Sequence, residues 1–281
     1  MLPLPLPLPR RGRGLGTTIA QVDLQLKDRR AIVTGGSRGI GKQVARVLVE
    51  EGARVVIVAR GQGELDSTAA ELGDRVFPIR CDTGQDASVS AMVASARAWL
   101  GGIDILVNGA AQPGGQSKPP ELSAITGEAV WTDMNVKVMG YLRCIREAVP
   151  HMQAGGRIVN ISGLAARSTG STIGSMRNVA VAAMTKNLAD ELGPKGISVV
   201  VVHPSTVRTE KTASVVKARA AETGRTEADV LAEMANANVL HRIIDAAEVA
   251  DVIAFLCSPK AIGINGDAVV VGGGTPRSIY Y

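Results

Sequence analysis

Short runs of β-branched and aliphatic residues recur along this chain from Leu24 onward, each followed by a longer stretch that mixes charged and apolar positions. The runs are RAIVT (30–34), RVVIVA (54–59), RVFPIR (75–80), IDILVN (103–108), RIVNIS (157–162), ISVVVVHP (197–204) and DAVVV (267–271). They are apolar at odd and even positions alike, as strands covered on both faces must be. The stretches between them predict helices beginning near Ile40, Glu64, Ala87, Val130, Ser175 and Ala246. Such alternation predicts an α/β fold, a doubly wound and mostly parallel sheet of about seven strands joined by right-handed crossovers. Seven strands use nearly the whole length, so a single domain is expected over residues 23–281.

Three segments break the rhythm. The opening stretch MLPLPLPLPRRGRGLG alternates Pro with Leu, which forbids a continuous helix and predicts an extended, disordered tail over residues 1–22. Its positive charges follow the apolar part, the reverse of a secretory signal. AQPGGQSKPPEL (111–122) is rich in Gly and Pro and predicts an exposed loop. Residues 205–240 are long and helix-prone. An insert at the carboxyl edge of a parallel sheet usually forms the substrate side of the crevice.

Composition narrows the class. The chain is 46% hydrophobic but only 2% aromatic, so its core must be built from Val, Ile, Leu, Ala and Met. No apolar run reaches the roughly 18 residues of a membrane span. Cys81, Cys144 and Cys257 are odd in number and far apart, as are His151, His203 and His241. Neither set has metal spacing or forms a disulfide framework, which predicts no metal site and a reducing, cytoplasmic setting. Of the formal charge of +5, three units are Arg10, Arg11 and Arg13. The remainder is too dispersed for nucleic acid.

The segment 31–60 reads as strand, Gly-rich turn, helix and second strand. Gly35 suits the tight turn, while Gly39 and Gly41 let backbone approach phosphate and let the helix pack on the sheet. The helix N-terminus offers free N–H groups to a pyrophosphate. This is the Rossmann-type arrangement. A carboxylate for ribose hydroxyls would stand at the end of the second strand, where this chain has Ala59 followed by Arg60, with Arg38 in the turn. Two guanidinium groups suit a 2′-phosphate, which points to NADP(H) rather than NAD.

TGGSRGIG (Thr34–Gly41) resembles the TGxxxGxG turn of the short-chain dehydrogenase/reductase family, and the resemblance runs from about Leu24 to Gly274. It implies a cofactor contact surface of Gly35, Ser37, Arg38, Gly39, Ile40, Gly41 and Arg60. CDTGQD resembles the adenine-side segment, with Asp82 and Thr83. LVNGAA resembles the Asn-Asn-Ala-Gly stretch, with Asn108 and Gly109. HPSTVRT resembles the segment over the nicotinamide, with Pro204, Val207 and Thr209. INGDAVVVGGG resembles the last strand and its glycines.

The family's catalytic set is Asn, Ser, Tyr and Lys, in which the Tyr moves the proton and the Lys lowers its pKa and holds the ribose. Here the resemblance gives Asn135 and Ser162, with Gly163 at the place of a second serine. Counting back from MTKNLADELGPKGI puts Gly174 at the Tyr and Asn178 at the Lys. The chain's tyrosines are Tyr141, Tyr280 and Tyr281, none of which fits. Ser175, Thr172, Arg177 and His203 are the substitutes nearby, and only His203 titrates near neutrality. Asn178 keeps the capacity to bind ribose hydroxyls.

On the same helix Met176, Val179, Ala180 and Ala183 form one apolar stripe, which predicts a packing face. The family uses this helix for dimerisation, so a homodimer or homotetramer is implied. Two main functions stay open, with a further one beside them. One is an NADP(H)-dependent oxidoreductase with a non-standard site, acting on a small and conjugated or quinone-like molecule. The other is a non-catalytic NADP-binding homologue, a sensor or inactive partner subunit. A cofactor-free lyase or isomerase is a third. The 205–240 insert, amphipathic enough to form a lid, favours the enzyme.

Overall fold

The computed structural model describes residues 22–112, 119–276 and 279. Residues 1–21 of the expected tail and residues 113–118 of the 111–122 loop lie outside them. Seven parallel strands form one sheet. In chain order they are β1 (Arg30–Thr34), β2 (Arg54–Ala59), β3 (Val76–Arg80), β4 (Ile103–Asn108), β5 (Met152–Ile161), β6 (Ser198–Pro204) and, after two short strands, β9 (Ala268–Val271). Their spatial order is β3-β2-β1-β4-β5-β6-β9. The order reverses between β1 and β4, the point at which sheets of this kind take ligands at the carboxyl ends of their strands.

Both faces are covered, and the strands alternate between them. Ala31, Val33, Val55, Ile57, Ile105 and Val107 pack into one core with α1 (Gly39–Glu50) and α9 (Ala246–Cys257). Ile32, Val56, Val58 and Leu106 pack into the other with α3 (Asp86–Leu100), α5 (Gly140–Ala148) and α6 (Thr172–Leu192). Full burial of each such side chain contributes roughly 1.5–3 kcal/mol. Among the described residues, no helix is long and apolar enough to cross a membrane.

β5 begins at Met152, five residues before the run RIVNIS. Its opening MQAGG lacks an apolar pattern, yet Met152 pairs with Ile103 ahead of a register shift. α6 begins at Thr172 rather than near Ser175, because Ser171 caps it by accepting from the Gly174 N–H at 3.1 Å.

The 205–240 segment folds as β7 (Val207–Arg208), α7 (Thr212–Thr223) and α8 (Glu227–Asn236). β7 pairs with β8 (Ile244–Asp245), closing the base of the insert. Val216, Ala220, Val230, Met234 and Ile243 give it a small core of its own.

One expectation is corrected. The stripe Met176, Val179, Ala180 and Ala183 faces outward, with Met176 and Val179 each 49% exposed. The inward face is Gly174, Asn178, Val181, Thr185 and Ala189. Its polar members are bonded inside: Thr185 donates to the Val181 carbonyl at 2.8 Å and accepts from Asn160 at 3.0 Å. Satisfied polar groups can face a core, so apolar periodicity alone selected the wrong side.

Candidate active site

β1 ends at Thr34, whose hydroxyl accepts from the N–H groups of Gly109 and Ala110 at 3.1 and 3.2 Å, binding the Gly-rich turn to the end of β4. The chain then turns at Gly35 with φ of +72°. A Cβ there would stand 2.7 Å from the Gly109 carbonyl oxygen, and one at Gly41 would stand 2.2 Å from that of Gly35. Neither position admits a side chain. Ser37 is buried, its carbonyl accepts from the Thr68 hydroxyl at 3.0 Å, and Ile40 packs on the core.

α1 has no acidic residue in its first turn and no side-chain cap. Its N-terminal Gly39 N–H instead donates to the Glu210 carboxylate at 3.0 Å. Thr209 lies against Gly39, its methyl 3.5 Å from where a Cβ would be. The amide end of α1 therefore binds an anion within the chain's own structure. Glu210 comes from the insert, 171 residues away in sequence.

Beside the turn is a cleft of about 330 Å³ whose lining includes Ser37, Arg38, Lys42, Glu64, Glu210 and Lys211. Glu64, on α2 (Gln62–Leu72), was not anticipated: it stands 3.6 Å from Arg38 and accepts from Ser37 at 3.4 Å. Arg38, Glu64 and Arg60 are all exposed. A sequence search confined to the end of β2 finds no carboxylate because this one arrives from a helix.

Asp82 and Thr83 follow β3. Asp82 accepts from the Gly84 N–H at 2.9 Å and Thr83 is buried. Asn135 lies against the same loop, donating to the Gly84 carbonyl at 3.3 Å. Arg143 ties the two, donating to the carbonyls of Thr83 and Asn135 at 3.2 Å each. Asn108 donates to Asn160 at 2.9 Å across the β4–β5 register, and its Oδ1 is buried without a partner. Pro204 pairs with Val271 at the end of β6, and Val207 packs on the core. The structure thus gathers the turn, Asn108, Gly109 and Thr209 around the switch point, and sets Asp82, Thr83 and Asn135 beside β3.

Ser162 and Asn178 meet at the far wall. The Ser162 hydroxyl donates to the Asn178 carbonyl at 3.0 Å. Between them stands Lys137, which sequence reasoning missed. Its Nζ donates to the Ser162 carbonyl at 2.8 Å and to Asn178 Oδ1 at 3.0 Å. It is 4% exposed. Burial, aided by the Arg177 guanidinium and opposed by Asp133, pulls its pKa down to about 7. Arg177 and Asp133 pair with each other at 2.6 and 2.8 Å. Lys137 points inward because a π-helical turn, Asn135–Met139, separates α4 (Gly127–Met134) from α5. A lone lysine among Val136, Val138 and Met139 was the available signal.

Two other groups are removed as proton donors. Tyr141 is fully buried, donates to the Ile161 carbonyl at 2.9 Å, and burial raises its pKa. His203 is buried with Nδ1 unpartnered, and burial with nearby Arg167 and Lys137 depresses its pKa to about 4. It is neutral at physiological pH. Tyr280 and Tyr281 lie outside the described residues.

A family model described as enoyl-(acyl carrier protein) reductase matches residues 35–276. The chain is 34% identical over 253 residues to the short-chain reductase protein NovJ of Streptomyces niveus, covering 88% of this chain and 93% of that one. It is 33% identical to mouse dehydrogenase/reductase SDR family member 4, covering 90% and 89%. The solved structure of an L-sorbose reductase from Gluconobacter frateurii, complexed with NADPH and L-sorbose, superposes with a TM-score of 0.85 at 28% identity, over 92% of this chain and 100% of that one. The glycine cradle, the switch-point crevice and these matches have one reading: the chain belongs to the short-chain dehydrogenase/reductase family.

Proposed function

We propose that this protein is an NADP(H)-dependent oxidoreductase with a non-standard active site, acting on a small organic molecule. The observation that carries it is the anion seat at Gly39, where a carboxylate already occupies the N–H that would meet a pyrophosphate. The cradle fits the group, since no side chain could share the space at Gly35 or Gly41. The relative solved with NADPH supports it. When bound, NADP(H) supplies or accepts the hydride. Gly35, Ser37, Arg38, Gly39, Ile40 and Gly41 hold the phosphates, Asp82 and Thr83 the adenine side, and Asn108, Gly109, Pro204, Val207 and Thr209 the nicotinamide side.

Gly174 and Asn178 stand in this reading where the family has Tyr and Lys. A conjugated or quinone-like acceptor develops less localised charge than a simple ketone and depends less on a strong acid. Ser162 and Asn178 line its carbonyl side, and Asn135 braces the helix. The second reading, a non-catalytic NADP-binding sensor or inactive partner subunit, is favoured by the same Gly174 and the sequestered Tyr141. A turnover screen with quinones and conjugated ketones separates them.

Selectivity tests the cofactor. The Arg38–Glu64 pair is exposed and weak, so Arg38 is available to a 2′-phosphate with Arg60. Charge-assisted bonds of roughly 1.5–3 kcal/mol give NADPH about a 10- to 150-fold tighter fit than NADH. Calorimetric titration of both cofactors, repeated on Arg38→Ala and Arg60→Ala, measures this, and equal affinities in the parent protein defeat it.

The outward apolar stripe on α6 suits a homodimer or homotetramer. Met176→Glu with Val179→Glu is expected to move the sedimenting species to monomer mass, and a parent that already sediments as monomer refutes the assembly. Cys81, Cys144 and Cys257 are buried free thiols, which suits the reducing cytoplasm proposed for the protein.

A further inference from the structure

We propose that Lys137 is a positioning residue for the cofactor, fixing the Asn178 carboxamide so that its Nδ2 is presented to the nicotinamide-ribose hydroxyls. The proposal rests on the NADP(H) reading above. A carboxamide has two orientations that differ only in which end faces which neighbour. Lys137 decides between them. Lys137 Nζ donates to the Asn178 carboxamide at 3.0 Å, so the end of Asn178 that faces it is the oxygen. The amino end then points away from Lys137. It faces Gly163, where a Cβ would lie 3.1 Å from Nδ2 and 3.8 Å from Oδ1.

The assignment is over-determined. The Ser162 carbonyl takes a second Lys137 N–H at 2.8 Å, which holds the ammonium in place. The Ser162 hydroxyl donates to the Asn178 backbone carbonyl at 3.0 Å, which holds the residue that carries the amide. Asn178 is 3% exposed, so its amide has little room to turn or to be satisfied by bulk water. Gly163 has no side chain to cover the amino group, and the proposal directs its donors at the ribose.

Lys137 has no carboxylate among these bonds, and the nearby Asp133 is committed to Arg177. A cation buried without a counter-ion is costly to the fold. It lies one hydrogen bond behind the position that the resemblance assigns to a ribose-binding cation. The arrangement keeps a lysine nitrogen near the site while moving its origin from α6 to the π turn.

The test separates the nicotinamide half of the cofactor from the adenine half. NADPH and 2′,5′-ADP are titrated by calorimetry into the parent, Lys137→Met and Asn178→Asp. Lys137→Met keeps the apolar stem and lets the amide turn. Asn178→Asp keeps Lys137 partnered and removes the donor. Both are expected to weaken NADPH by about three- to tenfold, the equivalent of one hydrogen bond, and to leave 2′,5′-ADP unchanged. The double variant Lys137→Met/Asn178→Lys returns a cation to the ribose and restores NADPH affinity. Unchanged NADPH affinity in Lys137→Met overturns the proposal, as does equal weakening of both ligands, which marks a purely structural role. A parent protein that binds neither ligand overturns the cofactor reading itself and this proposal with it.

Discussion

The triple variant Gly174→Tyr/Asn178→Lys/Lys137→Met is expected to reduce a generic diketone with NADPH about 10²- to 10⁴-fold faster than the parent, the usual contribution of a general acid. The double variant that keeps Lys137 is expected to gain little and to be less stable. Lys137 Nζ is 3.0 Å from Asn178 Oδ1, so a lysine at 178 brings two ammonium groups into one buried space. Neither has a carboxylate to share, and like charges without water are expensive. Removing Lys137 first opens the space. Tyr at 174 meets a milder obstacle: its Cβ would start 2.8 Å from the Ser171 hydroxyl, the tip of a small side chain. If that cap is lost, the cost is about 0.5–2 kcal/mol, which a domain of this size tolerates. Initial rates of NADPH oxidation decide the matter. Equal rates in the double and triple variants remove Lys137 from the argument. Brisk diketone reduction by the parent shows that another group already serves as the acid.

Raising the pH from 7 to 9 should stabilise the protein by about 2–3 kcal/mol through Lys137 alone. The sign follows from its folded pKa of about 7 against 10.5 for the ordinary group. Over that interval the unfolded chain binds the proton and the folded chain does not, so stability rises with pH and is lost again on acidification. Above pH 9 the opposite drift begins, because burial holds the Cys144 and Cys257 thiols protonated up to about 12. Below 6.5 His203, depressed to about 4, continues the loss. Thermal melts at pH 7 and 9 should therefore differ by several degrees in the parent and by much less in Lys137→Met. A parent curve as flat as that of the variant would mean that Lys137 is solvated.

The sheet was legible because its causes are local. Each strand run and each helix start could be read within a dozen residues, and β1, β2 and β4 fall on the predicted residues. The Gly-rich turn was legible for the same reason, since backbone approach restricts residue type at fixed spacing. The remainder of the site depends on partners remote in sequence. Lys137 is set by residues 25 and 41 positions away, and Glu210 by a turn 171 positions away. Glu64 was missed because the end of a strand was searched and the carboxylate came from a helix. The α6 stripe misled because hydrogen bonding makes Asn178 and Thr185 acceptable inside, which leaves the apolar face for the surface.

The π turn at Asn135–Met139 gives this part of the chain an unusual sensitivity to length. A residue added or removed in a helix rotates all that follows by about 100°. π turns are wide by one residue, so losing one there restores the ordinary ladder with little damage elsewhere. Its neighbours in sequence are Val136 and Val138. A single-codon deletion in the turn would thus carry Lys137 away from Ser162 and Asn178 and bring valine toward the interior, with no amino acid exchanged. For this helix an insertion or deletion is equivalent to a point substitution at the crevice wall.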